Sequence, residues 1–310
     1  MTRTAPWSMR GKVVLITGGA AGIGAAGAAE LSRRGAQVVL VDLDASALAE
    51  TARAIGGDPV TVVADVTDYH ACEEAVAAAI ERHAGVDIVW ANAGIGVSGP
   101  VELVDPAAWA RVVQVNLIGA FNTVHAALPD IIRARGHVAV TASVGSFGHG
   151  PILSAYGASK AGVEAFADSL RVEVAHQGVT VSALHPTWID TDMVRQGEAE
   201  SAAFARLRAG LRPPFSRAYP VEVIVPAIID GFEKRQPRLF LPGFVRSAYL
   251  LRNMLNTTFG QRDALAAAPE LRQLFVDQVE RVGTRRASWG RRWDGSHTDV
   301  HVVTEGDPEE

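Results

Sequence analysis

Residues 12–24 read Lys-Val-Val-Leu-Ile-Thr-Gly-Gly-Ala-Ala-Gly-Ile-Gly, and an alanine-rich helical pattern follows over residues 22–34. Glycines between a strand and a helix let backbone N–H groups approach a pyrophosphate, and the helix N-terminus adds a favourable dipole. The spacing is Gly-x-x-x-Gly-x-Gly, and no Gly-Lys-Ser/Thr follows, which argues against a phosphate-transferring P-loop. The alternative is an ordinary glycine-rich turn. The flanking strand and helix favour a nucleotide site.

Apolar strand patterns alternate with helical patterns as far as residue 242. The predicted strands are 12–17, 37–42, 59–64, 87–91, 137–142, 179–184 and 238–242, and helical patterns include 22–34, 68–83, 106–133 and 155–176. Near-continuous apolar strands separated by helices predict an α/β fold with a doubly wound, Rossmann-like parallel sheet that is buried on both faces. We expect a single domain over residues 1–242, a helical C-terminal extension over 243–283 and a flexible tail over 284–310.

The composition narrows the class of protein. The 310 residues are 48% hydrophobic, which supplies a sizeable core, and the formal charge of −5 gives no indication of nucleic-acid binding. A single cysteine, Cys72, excludes an internal disulfide and suits a reducing compartment. Residues 1–10 lack the apolar stretch of a secretory signal, and no run of eighteen apolar residues is present. We therefore expect a cytoplasmic protein, and no metal site is predicted.

The second strand is predicted to end at an acid, Asp42, eighteen residues after Gly24. A carboxylate at this point can accept hydrogen bonds from the ribose hydroxyls of NAD and repels the 2′-phosphate of NADP. No Arg or Lys stands at Ala21 or Leu43, so the pattern favours NAD. A helix N-cap is the alternative role for Asp42, although Asp44 is better placed to cap a helix.

The third predicted strand is followed by a second acid. Asp65 and Val66 stand at its end and are predicted to meet the adenine. A strand-end aspartate before a turn is the alternative and is nearly as common.

Tyr156 and Lys160 stand one helical turn apart, so their side chains share a helix face. The chain has 29 basic residues, and the lysines are Lys12, Lys160 and Lys234. A lysine in a chain so rich in arginine indicates a need for a compact, mobile ammonium, which the rigid guanidinium of arginine cannot supply. Held near a phenol, it would lower the tyrosine pKa from its ordinary value of about 10 and create a general acid or base. A helix-surface pair without function is the alternative.

These motifs together resemble the short-chain dehydrogenase/reductase family over roughly residues 11–242. The resemblance implies that Ser143 binds the substrate oxygen, Tyr156 is the acid/base, Lys160 tunes it and holds the nicotinamide ribose, and Asn116 anchors a proton-relay water. The cofactor contacts that it implies, together with those predicted above, are Gly18, Ala21, Gly22, Ile23, Gly24, Asp42, Leu43, Asp65, Val66, Asn92, Ala93, Gly94, Tyr156, Lys160, Pro186, Ile189 and Thr191. Simpler roles exist: a helix kink for Asn116, a turn cap for Ser143 and a turn for Asn92.

The reaction implied by the resemblance is hydride exchange between NAD(H) and a carbon bearing oxygen. Segments 95–100, 146–154 and 188–196 are expected to line the substrate pocket, with His149, Trp188 and Met193 as candidate contacts. Their mostly apolar character suits a hydrophobic alcohol and its ketone or aldehyde. The resemblance also suggests a homodimer or homotetramer. The alternatives are an NADPH-dependent carbonyl reductase and a catalytically silent NAD-binding regulatory protein.

Residues 243–256 predict an amphipathic helix. Phe244, Ala248, Leu251 and Leu255 fall on one face, while Arg246, Asn253 and Asn256 lie opposite. The helix either packs as ordinary core or rests on a membrane surface. Packing is favoured, because only Arg246 and Arg252 lie nearby to attract anionic lipid.

Overall fold

A parallel sheet runs through the centre of the computed structural model, which describes residues 7–289. Its order is β3-β2-β1-β4-β5-β6-β7, and every pairing is parallel. The strands are β1 (Val13–Thr17), β2 (Gln37–Asp42), β3 (Val60–Val63), β4 (Ile88–Ala91), β5 (His137–Thr141), β6 (Thr180–Pro186) and β7 (Arg238–Leu241). The predicted doubly wound α/β fold is confirmed.

Helices cover both faces of the sheet, because successive side chains of a strand point to opposite faces. In β1, Val13 and Leu15 enter the core on one side, and Val14 and Ile16 enter the core on the other. The helices are α1 (Gly22–Arg33), α2 (Ala45–Ile55), α3 (Tyr69–His83), α4 (Pro106–Val113), α5 (Gly119–Ala134), α6 (Ser154–Val174), α7 (Asp192–Glu200), α8 (Ala202–Ala209) and α9 (Val221–Glu233). Both faces of the central strands are therefore buried, as their apolar sequences require.

The strand order reverses at β1, which lies between β2 and β4. In sheets of this kind the connections leave β1 and β4 in opposite directions, so a crevice opens beyond their carboxyl ends. The glycine turn after Thr17 and the Asn92-Ala93-Gly94 segment both begin at this edge. The topology thus brings two segments more than seventy residues apart to the mouth of one crevice.

One predicted helix is interrupted. Residues 106–133 were expected to form a continuous helix, but a π-helical turn over Gln114–Ile118 separates α4 from α5. Asn116 lies in this wide turn and is almost fully buried. Apolar periodicity continues through the interruption, so the pattern gives no sign of it. Such π turns are frequent at functional sites.

The C-terminal region, residues 243–289, is helical but divides differently from the prediction. Its elements are α10 (Val245–Leu250), α11 (Arg252–Leu255), α12 (Arg262–Val282) and α13 (Thr284–Trp289). Leu251 ends the first of two short helices where one was expected over 243–256. The long helix contains Pro269 in its interior. Within residues 7–289, no helix combines the length and apolar character needed to cross a bilayer.

The predicted flexible tail differs from the structure at its beginning. Residues 284–289 form α13, in which Ala287 and Ser288 are buried. The Ser288 hydroxyl accepts a hydrogen bond from the Asp105 backbone N–H at 3.0 Å, just before α4. A contact with a residue far away in the chain therefore accompanies a helix in a segment for which the sequence predicts a flexible tail. Residues 290–310 of the predicted tail lie outside the described residues.

Candidate active site

The glycine turn after β1 has a backbone that other residues would strain. Gly18 and Gly22 have φ angles of +65° and +54°. A Cβ on Gly24 would lie 2.0 Å from the Gly18 carbonyl oxygen. Helix α1 begins after Ala21 without a side-chain cap, so its first N–H groups face the crevice without a side-chain partner. A helix N-terminus in this state favours an anionic group.

Asn92 ties three strand ends together below the turn. Its Nδ2 donates to the Gly18 carbonyl at 3.2 Å, and its Oδ1 accepts from the Thr141 hydroxyl at 3.0 Å. The Asn92 backbone N–H donates to the Thr17 hydroxyl at 3.1 Å. Asn92 is therefore a brace between strands rather than only a turn former. Thr141 is a partner that sequence reasoning missed.

Asp42 lies at the end of β2 with its carboxylate held by the backbone. Its oxygens accept from the Leu43 N–H at 2.8 Å and the Ala20 N–H at 3.1 Å. Helix α2 is capped instead by Asp44, which accepts from Ser46 and Ala47. The helix-cap alternative for Asp42 is therefore excluded.

Asp65 has an ion-pair partner that the sequence did not reveal. Arg111, on α4, donates from Nη2 to Asp65 Oδ2 at 2.6 Å and from Nη1 to the Thr67 hydroxyl at 2.9 Å. Burial favours the neutral acid, but the hydrogen bonds from Arg111 and Thr67 outweigh it and hold the pKa of Asp65 below its usual range. The guanidinium is thereby committed to a neighbouring carboxylate.

Ser143 and Tyr156 meet at the carboxyl end of β5. Ser143 opens a short 3-10 turn and accepts a hydrogen bond from the Gly145 N–H at 3.0 Å, so it is also a turn cap. Burial raises the pKa of the Tyr156 phenol, and the nearby Ser143 hydroxyl lowers it by less. The expected lowering of that pKa is therefore wrong for the structure, because loss of water around the phenolate dominates.

Lys160 is buried on the same helix, α6. Its Nζ donates to the Thr141 carbonyl at 2.6 Å and lies 5.8 Å from the centre of the Tyr156 ring. Burial lowers the pKa of Lys160 to about 8, because the ammonium loses hydration. The side chain is thus aimed into the site and easily deprotonated compared with a surface lysine.

Asn116 joins the π turn to the floor of the site. Its Oδ1 accepts from the Ile95 N–H at 2.8 Å, and its Nδ2 donates to the Ile95 carbonyl at 3.0 Å and to the Ser159 hydroxyl at 3.0 Å. A Cβ on Gly94 would lie 3.2 Å from Asn116 Oδ1 and 3.4 Å from Lys160 Nζ. Asn116 and Lys160 therefore meet at one glycine, and the helix-kink alternative accounts for only part of the asparagine's contacts.

A cavity of about 990 Å³ collects these side chains along the carboxyl edge of the sheet. Its predicted lining residues are Gly18, Ala21, Gly22, Ile23, Asp42, Leu43, Asp65, Val66, Asn92, Ala93, Gly94, Ser143, Tyr156, Lys160, Pro186, Ile189, Thr191 and Met193. Four predicted residues do not line it: Gly24 lies under the turn, Asn116 is buried behind Gly94, His149 is exposed, and Trp188 packs on Phe204 with ring centres 5.6 Å apart. Lining residues that the sequence did not single out include Arg111, Thr141 and the α7 residues Ala199 and Glu200.

The chain is similar to known proteins both in sequence and in fold. The family described as "short chain dehydrogenase" matches residues 12–202, more than half of the chain. The chain belongs to the short-chain dehydrogenase family. This dehydrogenase is 34% identical over 183 residues to an uncharacterised oxidoreductase of Staphylococcus epidermidis, which covers 59% of this chain and 80% of the relative. It is 36% identical over 191 residues to the trans-4-hydroxycyclohexanecarboxylate dehydrogenase of Sinomonas cyclohexanicum, covering 59% and 74% respectively.

Solved structures of related enzymes have the same fold as this short-chain dehydrogenase. Levodione reductase superposes with a TM-score of 0.70 at 30% identity, covering 77% of this chain and 99% of that one. The 3-ketoacyl-(acyl-carrier-protein) reductase of Brucella melitensis, complexed with NADH, gives a TM-score of 0.68 at 28% identity, covering 75% and 97%. The chain is therefore an oxidoreductase of a fold that binds a nicotinamide cofactor.

The residues of the cavity fit such a cofactor. Gly18 and Gly22 lack side chains where the turn faces the cavity, and Gly94 leaves open the space beside Lys160 Nζ. The uncapped start of α1 suits a pyrophosphate. The cavity reaches from Asp42 and Asp65 at one set of strand ends to Tyr156 and Lys160 at another, which suits an elongated dinucleotide.

Proposed function

We propose that this short-chain dehydrogenase interconverts a hydrophobic alcohol and its ketone or aldehyde with NAD(H). The observation that carries the proposal is that Ser143, Tyr156 and Lys160 line the same cavity as the glycine turn and Asp42. A silent NAD-binding protein has no need of a tyrosine and a buried lysine that converge on its cofactor cavity. Burying an ammonium is costly, so its presence favours a catalytic use.

The proposed roles follow from the chemistry of each side chain. The nicotinamide, when bound, accepts or supplies the hydride. In oxidation the Tyr156 phenolate accepts the alcohol proton, and in reduction the Tyr156 phenol returns that proton to the carbonyl oxygen, while Ser143 donates a hydrogen bond to the substrate oxygen. The Lys160 ammonium stabilises the phenolate that forms as Tyr156 gives up its proton. Because burial raises the pKa of Tyr156, this help is required near neutral pH.

Asn116 is proposed to hold the lysine side of the site in place. Its amide is committed to both backbone groups of Ile95 and to Ser159, so it fixes the segment that contains Gly94. A water near Lys160 would complete the proton path to solvent. Asn116 is in this sense a positioning residue.

The preference for NAD is proposed from charge. Asp42 lines the cavity, and its carboxylate would face a 2′-phosphate as a like charge. Arg111 lines the same cavity, but its guanidinium is paired with Asp65. The other basic side chain in the cavity wall is Lys160, which donates a hydrogen bond to the Thr141 carbonyl beside Tyr156. Neither cation is free to receive a 2′-phosphate.

The substrate class is proposed from the remaining wall of the cavity. Ile95, Val97, Met193 and Val194 contribute apolar surface to it. The substrate named for the Sinomonas relative, trans-4-hydroxycyclohexanecarboxylate, is a cyclic secondary alcohol. Both observations favour a bulky secondary alcohol over a small primary one.

Assembly and location are also proposed. Large apolar side chains are exposed on α5 and α6, namely Phe121 and Val172, with Ile118 in the π turn. Such exposure suits a homodimer or homotetramer formed through these helices. The single buried Cys72 suits a cytoplasmic enzyme.

The test is a screen for NAD⁺ reduction with cyclic and open-chain secondary alcohols, followed by NADH oxidation with the matching ketones. NADP⁺ and NADPH are run in parallel. We expect turnover of an apolar alcohol with NAD⁺ and a lower kcat/KM with NADP⁺. Tight NADH binding without turnover across the panel would favour the silent regulatory protein, and a higher kcat/KM with NADPH would favour the carbonyl reductase.

A further inference from the structure

An exposed apolar surface lies at the beginning of the C-terminal region. It consists of Leu250, Leu251, Met254, Leu255, Phe259 and Leu265, and is called here the 250–265 surface. Phe259 is 73% exposed, Leu250 70% and Met254 60%. Single apolar residues on a protein surface are ordinary, but six within sixteen residues indicate a site of interaction.

The segment uses other side chains to attach to the domain. Val245 and Tyr249 are buried, and the Tyr249 ring packs edge-on against Phe147 with centres 5.3 Å apart. The expected packing face is therefore wrong for Leu251 and Leu255, which are exposed. Asn256 donates from Nδ2 to the Phe147 carbonyl at 3.0 Å and fixes α11 to the domain. The 250–265 surface is thus presented by an anchored segment.

Basic residues outnumber acidic ones around the surface. Residues 243–265 contain Arg246, Arg252 and Arg262 and one acid, Asp263. Arg246 is exposed, and no ion pair involves it within residues 7–289. Arg252 lies over the Tyr249 ring at 4.3 Å, and Arg262 contacts Asp263 at 3.5 Å, while that acid also pairs with Arg212. The segment therefore carries a net positive charge, which favours a partner that is apolar and anionic.

We propose that the 250–265 surface seats the enzyme on the headgroup region of an anionic lipid bilayer. The apolar side chains enter the boundary between headgroups and acyl chains, and the arginines contact lipid phosphates. A second copy of the chain is a poorer occupant. A two-fold contact through this surface would bring the same arginines together, and Asp263, the acid within residues 243–265, is already paired with Arg212 and Arg262.

The experiment is co-sedimentation of the full-length enzyme with phosphatidylcholine vesicles, with and without phosphatidylglycerol. We expect binding to the vesicles that contain phosphatidylglycerol, weakened by salt. In the double variant Met254→Glu with Phe259→Glu, two apolar groups can no longer enter the bilayer. Each loss should weaken partitioning onto the vesicles about tenfold, so the pair should weaken it about a hundredfold. The matched control is Val101→Glu, at a site that is 72% exposed in the loop before α4. It should bind like the wild type.

A second variant tests the charges. Arg246→Gln with Arg262→Gln should weaken binding to phosphatidylglycerol vesicles roughly tenfold, while the weak binding to phosphatidylcholine stays the same. Circular dichroism and NADH binding should be unchanged in every variant, because these side chains lie outside the cavity. Failure of the catalytic proposal would leave the sedimentation result intact.

Two outcomes would overturn the proposal. One is a wild-type enzyme that does not sediment with phosphatidylglycerol vesicles, or a Met254/Phe259 variant that sediments equally well. The other concerns a second copy of the chain. If light scattering shows the Met254/Phe259 variant as a smaller assembly and the wild type does not bind vesicles, the surface is an interface between subunits.

Discussion

The carboxyl edge of the sheet and the C-terminal region acquire their roles in different ways. At the sheet edge, short segments carry the chemistry, and the topology collects them: Gly18, Asn92 and Tyr156 line one cavity although they lie far apart in the chain. In the C-terminal region, the role of a side chain depends on the distant residues that it contacts, as Phe275 contacts Gly99. Local motifs therefore identify the first region, while the second is defined by long-range packing.

The two regions also differ in what could be predicted. All seven strands and the residue types of the cofactor turn follow from apolar periodicity and glycine spacing, since both depend on neighbours in sequence. Arg111 could not be found this way, because its partner Asp65 is 46 residues away. Val245 is buried because it belongs to the apolar cluster around Phe147, and Leu251 does not belong to that cluster. Both residues have the same apolar character, so composition does not separate them.

The sharpest test of the sheet edge is Tyr156→Phe. The ring is kept while the transferable proton is lost, so kcat is expected to fall by about 10²–10⁴-fold. NADH binding, measured by fluorescence titration, should be retained because the glycine turn and Asp42 are untouched. Tyr219→Phe, at a tyrosine that does not line the cavity, should leave kcat unchanged. A variant with wild-type kcat would exclude Tyr156 as the acid or base.

The matching test of the C-terminal region is Phe275→Ala. Phe275 is fully buried on α12, and its ring lies against Gly99, where an added Cβ would be only 2.8 Å away. Truncating a buried phenylalanine costs about 3–5 kcal/mol, so the free energy of unfolding should fall by that amount in denaturant titration. Phe259→Ala, on the exposed side of the same region, should change it little. Equal effects of the two changes would contradict the docking of α12.

A smaller effect is expected for cofactor choice. Asp42→Ala removes the carboxylate that is proposed to face the ribose, so the ratio of kcat/KM for NAD⁺ over NADP⁺ should fall by about tenfold to a hundredfold. Asp68→Ala is the matched control, since Asp68 caps α3 and does not line the cavity. It should cost about 1 kcal/mol of stability and leave the ratio unchanged. An unchanged ratio in Asp42→Ala would remove the basis for the proposed NAD preference.

The smallest effect joins the two regions. Gln278, buried on α12, donates from Nε2 to the Glu200 carbonyl at 3.0 Å, and Glu200 lines the cavity at the end of α7. The long C-terminal helix therefore holds one wall of the cavity. Gln278→Leu keeps the volume but leaves the carbonyl without this donor, at a cost of about 1 kcal/mol. KM for the alcohol should rise roughly threefold to fivefold with kcat nearly unchanged, because the wall is loosened while Tyr156 stays in place.

The control for this change is on the same helix. Gln273 is exposed and donates to Asp277 at 2.8 Å, so Gln273→Leu removes a helix-surface hydrogen bond without reaching the cavity. If both variants lower the melting temperature and neither raises KM, α12 acts on stability alone. A rise in KM confined to Gln278→Leu would mean that a helix more than 100 residues beyond Tyr156 shapes the substrate site. The C-terminal region would then act on catalysis through packing, without contributing a group that touches the reacting atoms.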